Sequence, residues 1–171
     1  MTIKQIKKFN PDCKVEVLIP DFNGNKSSLE TVIKASPDVL NHNIETCRRV
    51  FKVVRPKGDY DQSIELLRRV KELNPKIPTK SGMMVGLGEK KHEVVATMKE
   101  IVDLGVEIFT IGQYLQPTKN HLKVDRYVEN EEFLYYKEIG TKIGFKVVES
   151  GSLVRSSYHA DEQARLAFVS N

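Results

Sequence analysis

The chain has 171 residues, 40% hydrophobic and 29% charged, with 27 Lys+Arg against 23 Asp+Glu and a net charge of +4. That length can build one core; no apolar run approaches the roughly 20 residues that span a bilayer, and the interleaved charges of residues 65–72 read as a solvated helix face, not the basic stripe of a nucleic-acid binder. The basic start, Met1-Thr2-Ile3-Lys4, leads into no long apolar segment, so a cytoplasmic protein without a secretory signal is expected.

Val15-Glu16-Val17-Leu18-Ile19 reads as a strand that runs into the loop Pro20-Asp21-Phe22. Residues 26–34 read as a helix capped by Ser27 or Ser28. Residues 38–42 form a second strand, 43–50 a helical turn and 51–54 a short extended piece before Pro56. Over 61–73, Ile64, Leu67, Val70 and Leu73 recur at helical spacing, and Pro75 and Pro78 end the helix. Residues 83–87 give the next strand, 90–104 a helix that Gly105 terminates, and 107–111 another strand. A loop with Pro117 occupies 112–126, where Arg126 and Tyr127 are expected to fix it. A helix follows over 131–143, closed by Gly144, then a strand over 145–149, a loop over 150–158 and a short helix over 161–168. Met83, Met84 and Met98 read as core residues. Cys13 and Cys47 show no CxxC or metal-type spacing and read as reduced, buried or half-buried thiols.

Near-continuous apolar strands alternating with amphipathic helices predict an α/β fold with a parallel sheet. No repeat or linker divides residues 1–171, so a single domain is expected. Polar segments follow the strands: Pro20-Asp21-Phe22-Asn23-Gly24, Asn41-His42-Asn43, Gly86-Leu87-Gly88-Glu89, Gly112-Gln113-Tyr114 and Ser150-Gly151. Ligands bind at the carboxyl ends of strands in such folds, so these segments mark the expected site. About five strands are too few for an eight-stranded barrel and predict an open or partial one. The first strand would then present an apolar edge, predicting poor solubility or oligomers for the isolated chain.

Five ordered segments carry a resemblance: residues 15–22, 39–46, the run Thr79-Lys80-Ser81-Gly82-Met83-Met84-Val85-Gly86-Leu87-Gly88-Glu89, residues 110–117, and Glu149-Ser150-Gly151-Ser152-Leu153-Val154-Arg155-Ser156-Ser157-Tyr158-His159-Ala160. Together they resemble the C-terminal part of the lipoyl synthases, radical S-adenosylmethionine (SAM) enzymes. The resemblance implies a partial (β/α) barrel of the radical SAM type. It implies a sulfurtransferase that inserts two sulfurs into an octanoyl group on a lysine of a lipoyl carrier protein, either a lipoyl domain or the glycine cleavage H protein. Its implied cofactors are S-adenosylmethionine and two [4Fe–4S] clusters, one cleaving the cofactor and the other consumed as sulfur source. The family's CxxxCxxC motif and its separate three-cysteine motif are absent from this sequence, and scattered cysteines cannot replace six thiolates. The chain is therefore expected to be inactive alone: the C-terminal portion of a split or truncated enzyme, a half that works beside an N-terminal partner, or a non-catalytic remnant or binding module. No nucleic-acid or membrane partner is expected.

The resemblance also implies roles for residues. One serine of Arg155-Ser156-Ser157-Tyr158 would ligate the auxiliary cluster, with Arg155 supporting; the residues leave Ser156 and Ser157 undecided. Asn41, Asn43 and Glu45 would meet the hydroxyls and amine of S-adenosylmethionine, Lys80 or Ser81 its methionine carboxylate, Gln113 and Leu115 its adenine, and the segment ending in Glu89 would line the cofactor pocket. No catalytic residue is assigned. On residue chemistry alone, the asparagines serve equally as turn formers, the serines as caps of the last helix, Glu89 as a charge favouring a helix N-terminus, and His42 as a hydrogen-bonded structural histidine.

Overall fold

The protein is described by a computed structural model over residues 2–169; Met1, Ser170 and Asn171 of the expected 1–171 unit lie outside the described residues. The element order is α1 (Thr2–Phe9), β1 (Glu16–Leu18), α2 (Lys26–Lys34), β2 (Val39–Asn41), α3 (Arg48–Val54), α4 (Tyr60–Leu73), β3 (Thr79–Val85), α5 (Lys91–Asp103), β4 (Ile108–Gln113), α6 (Asn130–Ile143), β5 (Val147–Gly151) and α7 (Ala160–Val169). Among the described residues the sheet has five strands in the order β1-β2-β3-β4-β5, and every neighbouring pair is parallel. This is the partial α/β barrel that the strand and helix rhythm predicts.

Side-chain alternation divides the sheet into two faces. Met83, Val85, Phe109, Ile111 and Val148 pack beneath Val94, Met98 and Ile101 of α5 and Phe133 and Tyr136 of α6. Ile19 and Leu40 pack beneath Leu29 and Ile33 of α2 and Leu66 and Val70 of α4. On the other, concave face, Val39, Ile108 and Val147 at the amino ends of their strands are covered by Ala164 and Ala167 of α7. Full burial of a large aliphatic side chain contributes roughly 1.5–3 kcal/mol, so the helix-covered face supplies most of the stability and α7 forms a light floor. Above that floor Lys80, wholly buried, sits with its Nζ 3.1 Å from the Glu16 carboxylate, which also accepts from Asn41 Nδ2 at 3.1 Å.

Several local expectations are corrected. The cap of α2 is Asn25, whose side chain accepts the Ser28 N–H at 3.1 Å, while Ser27 Oγ donates to the same oxygen. Residues 51–54 are helical: Val50 and Phe51 are buried, and Phe51 meets Tyr60 edge-on with centroids 5.5 Å apart, so packing overrides the β preference of Val53 and Val54. Strand β3 begins at Thr79, where Glu107 accepts both the Thr79 N–H and its hydroxyl, and β4 runs on to Gln113. Helix α1, not anticipated, buries none of its residues and is tethered by Lys7 to Asp38 at 2.9 Å. Cys47 is buried and Cys13 exposed. Met83 and Met98 are core residues as expected, whereas Met84 is only half-buried and faces a cavity.

Candidate functional site

Two cavities open at the carboxyl ends of the strands. The first, about 220 Å3, is lined by Asn43, Glu45, Gly82, Met83, Met84, Thr110, Gly112, Gln113, Leu115, Val154, Arg155 and Ser156. Glycines shape it. A Cβ on Gly82 would lie 2.3 Å from Thr110 Oγ1, and one on Gly112 would lie 2.3 Å from the Val154 carbonyl oxygen. Gly112 lets the loop after β5 close over β4, and Gly82 leaves room for Thr110 and Asn43, a signal that the sequence carries and that sequence reasoning passed over. Thr110 and Val154 were likewise missed.

Glu45 has φ = +69°, a left-handed conformation costly for a residue with a Cβ, and cross-strand bonds hold it there. Its N–H donates to the Gly82 carbonyl at 3.1 Å, and its carbonyl accepts the Met84 N–H at 2.8 Å. Burial raises the pKa of its carboxyl, against the opposing Arg55 guanidinium 3.5 Å away. Asn43 Oδ1 is buried beside it with no hydrogen-bond partner. Arg55 belongs to no expectation from the sequence.

The second cavity, about 680 Å3, shares Asn43 and Glu45 with the first and adds Asp21, Asn23, His42, Arg55, Lys57 and the apolar Leu18, Ile19, Phe51 and Val54. His42 Nδ1 lies 2.9 Å from the Ile19 carbonyl, as expected of a structural histidine, so Nδ1 carries the proton and donates. Its Nε2 is then an acceptor, buried and without a partner. Burial lowers the His42 pKa, against the opposing Ile19 hydrogen bond and Asp21 charge. Asn23, at the cavity wall, and its neighbour Phe22 also have positive φ values of 49° and 52°.

Of the residues singled out from the sequence, the first cavity gathers Asn43, Glu45, Gln113, Leu115, Arg155 and Ser156. Ser157 is exposed outside it. Asn41 and Lys80 lie lower on the concave face, engaged with Glu16. Ser81 is registered with Phe109 of the helix-covered face, and its buried Oγ has no partner. Glu89 accepts the Gly86 and Leu87 N–H groups at 2.7 and 2.8 Å and so closes the turn after β3. Gln113 faces the loop after β4 with both ends of its amide: Nε2 donates to the Arg126 carbonyl at 3.1 Å, and Oε1 accepts the Val128 N–H at 2.9 Å. Arg126 fixes the same loop through two bonds to Glu132, at 2.7 and 3.0 Å.

A cavity at the tips of parallel strands is where this fold places ligands, and the radical SAM superfamily profile matches residues 1–101. The chain belongs to the radical SAM superfamily. Its radical SAM relatives include the lipoyl synthase of Rubrobacter xylanophilus, 55% identical over 162 residues that cover 95% of this chain and 50% of the relative. The lipoyl synthase of Caldanaerobacter subterraneus subsp. tengcongensis is 55% identical over 166 residues, covering 97% and 58%. This radical SAM chain thus spans about half the length of the curated relatives it matches. In fold alone it is similar to a domain of pyruvate-formate lyase-activating enzyme from Bacteroides vulgatus, with a TM-score of 0.64 at 15% identity over 87% of this chain and 89% of that one.

Proposed function

We propose that this chain is the C-terminal portion of a lipoyl synthase and supplies one wall of its reaction chamber. The observation that carries the reading is the first cavity, which brings Asn43 and Glu45 from beyond β2 together with Arg155 and Ser156 from beyond β5. The match to lipoyl synthases over nearly the whole chain supports the same assignment.

The residues present fit S-adenosylmethionine. The unpartnered Asn43 Oδ1 accepts a hydroxyl, Glu45 accepts hydroxyl or ammonium protons, and the Gly82 and Gly112 backbones give a flat ligand close approach. Leu115 and Met84 supply apolar cover. When bound, the cofactor supplies the oxidising equivalent that removes hydrogen from the octanoyl chain of a carrier protein. This chain's residues bind and orient it and exclude water. The residues do not fit an iron–sulfur cluster of their own. Burial pushes the Cys47 thiol up to about 12, against the deprotonation that ligation needs, and among the described residues no group of three His, Cys, Asp or Glu side chains could hold a metal ion. Ser156 or Ser157, supported by Arg155, remains a single candidate ligand toward a cluster whose thiolates lie elsewhere. The setting is cytoplasmic, and no helix among the described residues is long and apolar enough to cross a membrane.

The missing thiolates also favour a second reading, a remnant or binding module for the carrier or a complementary half. Co-expression with a segment bearing the two cysteine motifs, anaerobic reconstitution, and measurement of 5′-deoxyadenosine and lipoylated carrier separate the two. Both products are expected from the pair and neither from this chain alone. Equilibrium dialysis of S-adenosylmethionine against this chain should show binding that Asn43→Ala weakens. A pair that binds the cofactor yet makes neither product establishes the module.

A further inference from the structure

We infer that Arg55 is a positioning residue: its guanidinium holds the Glu45 carboxylate, in its charged form, at the seam where the two cavities meet. The role rests on the proposed function for the identity of the ligand. Glu45 is the acidic side chain common to both cavities. Its backbone is pinned by the bonds to Gly82 and Met84, so the residue cannot swing away from the seam. What is left to be set there is its charge. Burial favours the protonated form, and a protonated carboxyl turns one of its oxygens from acceptor into donor. A ligand that brings hydroxyl and ammonium protons, as the proposed cofactor does, is best met by the ionised form.

Arg55 is placed to keep that form. Its Nη1 lies 3.5 Å from Glu45 Oε1, and it is the one ion-pair partner of Glu45 among the described residues. The other charged and titratable groups around the seam are engaged elsewhere or stand apart. Asp21 accepts from Gln62 and from the Asn23 N–H. His42 carries its proton on the Nδ1 that faces the Ile19 carbonyl. Arg155, on the wall of the first cavity, donates to the Val154 and Ser152 carbonyls. Lys57, on the wall of the second, forms no ion pair among the described residues.

The chain around Arg55 fixes it in turn. It is the first residue after α3, and its N–H donates at 2.7 Å to the carbonyl of Phe51, whose ring is buried against Tyr60. Its own carbonyl accepts the Gly58 N–H at 2.9 Å and so closes a tight turn through Pro56 and Lys57. A Cβ on Gly58 would lie 3.2 Å from both the Arg55 Cβ and the Phe51 ring, so a larger residue there would press the arginine stem out of place. The Arg55 side chain is 56% exposed, which leaves its pull on Glu45 open to screening by salt.

Two measurements follow the charge of Glu45 and the binding of ligand separately. In the ligand-free chain the Glu45 carboxyl is titrated by 13C NMR, its signal assigned with Glu45→Gln. Arg55→Gln should move the titration to higher pH, and Arg55→Lys should restore much of the parent profile. Gly58→Val, which displaces the arginine but keeps its charge, should move the titration in the same direction as Arg55→Gln. In equilibrium dialysis against S-adenosylmethionine, Arg55→Gln should bind about tenfold more weakly than the parent at pH 6 and within about twofold of it at pH 8. Arg55→Lys should follow the parent at both. Circular dichroism of each variant reports folding. An unmoved Glu45 titration in Arg55→Gln overturns the inference. So does an equal loss of binding at both pH values that lysine does not repair, or a moved titration with the parent's pH profile of binding. A parent chain that binds no cofactor, while Arg55→Gln still moves the titration, overturns the cofactor reading and leaves the hold of Arg55 on Glu45 standing.

Discussion

His42 and Glu45 stand three residues apart, and burial pushes their pKa values in opposite directions: His42 down, Glu45 up. The signs then separate. Folded His42 resists a proton that the unfolded chain takes up near its ordinary value of about 6.5, so its contribution to stability is complete above that pH and is lost on acidification. Folded Glu45 keeps a proton that the unfolded chain releases above its ordinary value of about 4.3, so its contribution is present at low pH and fades as pH rises through the window above that value. Between pH 7 and pH 5 the melting temperature of His42→Gln should therefore fall less than the parent's, and that of Glu45→Gln should fall more. Thermal melts that show parallel lines for all three proteins would remove burial as the cause.

At the scale of elements, the loop after β4 depends on Gln113. Replacing it with Leu leaves the Val128 N–H and the Arg126 carbonyl without partners, at about 1–3 kcal/mol for each group that stays buried. Gln113→Leu should lower the urea midpoint and strip amide-exchange protection from Val128, while protection within β3 persists. Uniform loss of protection across the sheet would show that the loop and sheet open as one unit. The sequence made this position visible but not its use, because a glutamine at a strand tip looks the same whether it meets a ligand or its own chain. Its partners lie 13 and 15 residues on, in a segment without periodicity. The bond of Lys80 was hidden for a similar reason: its partner Glu16 is 64 residues away. By contrast, α4, α5 and α6 were legible nearly to their ends, since each repeats its apolar face and stops at a proline or glycine. Gly105 and Gly144, with φ of 84° and 118°, end α5 and α6 in the left-handed region that glycine adopts freely.

For the whole molecule, the parallel order was readable from strands that are apolar on both sides, whereas the placement of α7 beneath the concave face was not. That helix joins Val39, Ile108 and Val147, which are distant in sequence, through two small alanines that carry no signal of their own. The outer edge of β1 has no strand partner among the described residues, and Leu18 on it is exposed. Sedimentation velocity of the isolated chain should show concentration-dependent self-association, reduced by Leu18→Lys, which charges the edge. A monodisperse monomer at all concentrations would mean that three residues of bare edge are too few to template pairing. The position of α7 also sets how matter moves through the protein. With Ala164 and Ala167 packed on the amino ends of β2, β4 and β5, and the cavity that Arg155 lines at the opposite ends of the strands, a ligand there finds no through-route along the strands toward α7 and comes and goes on the side of the strand tips.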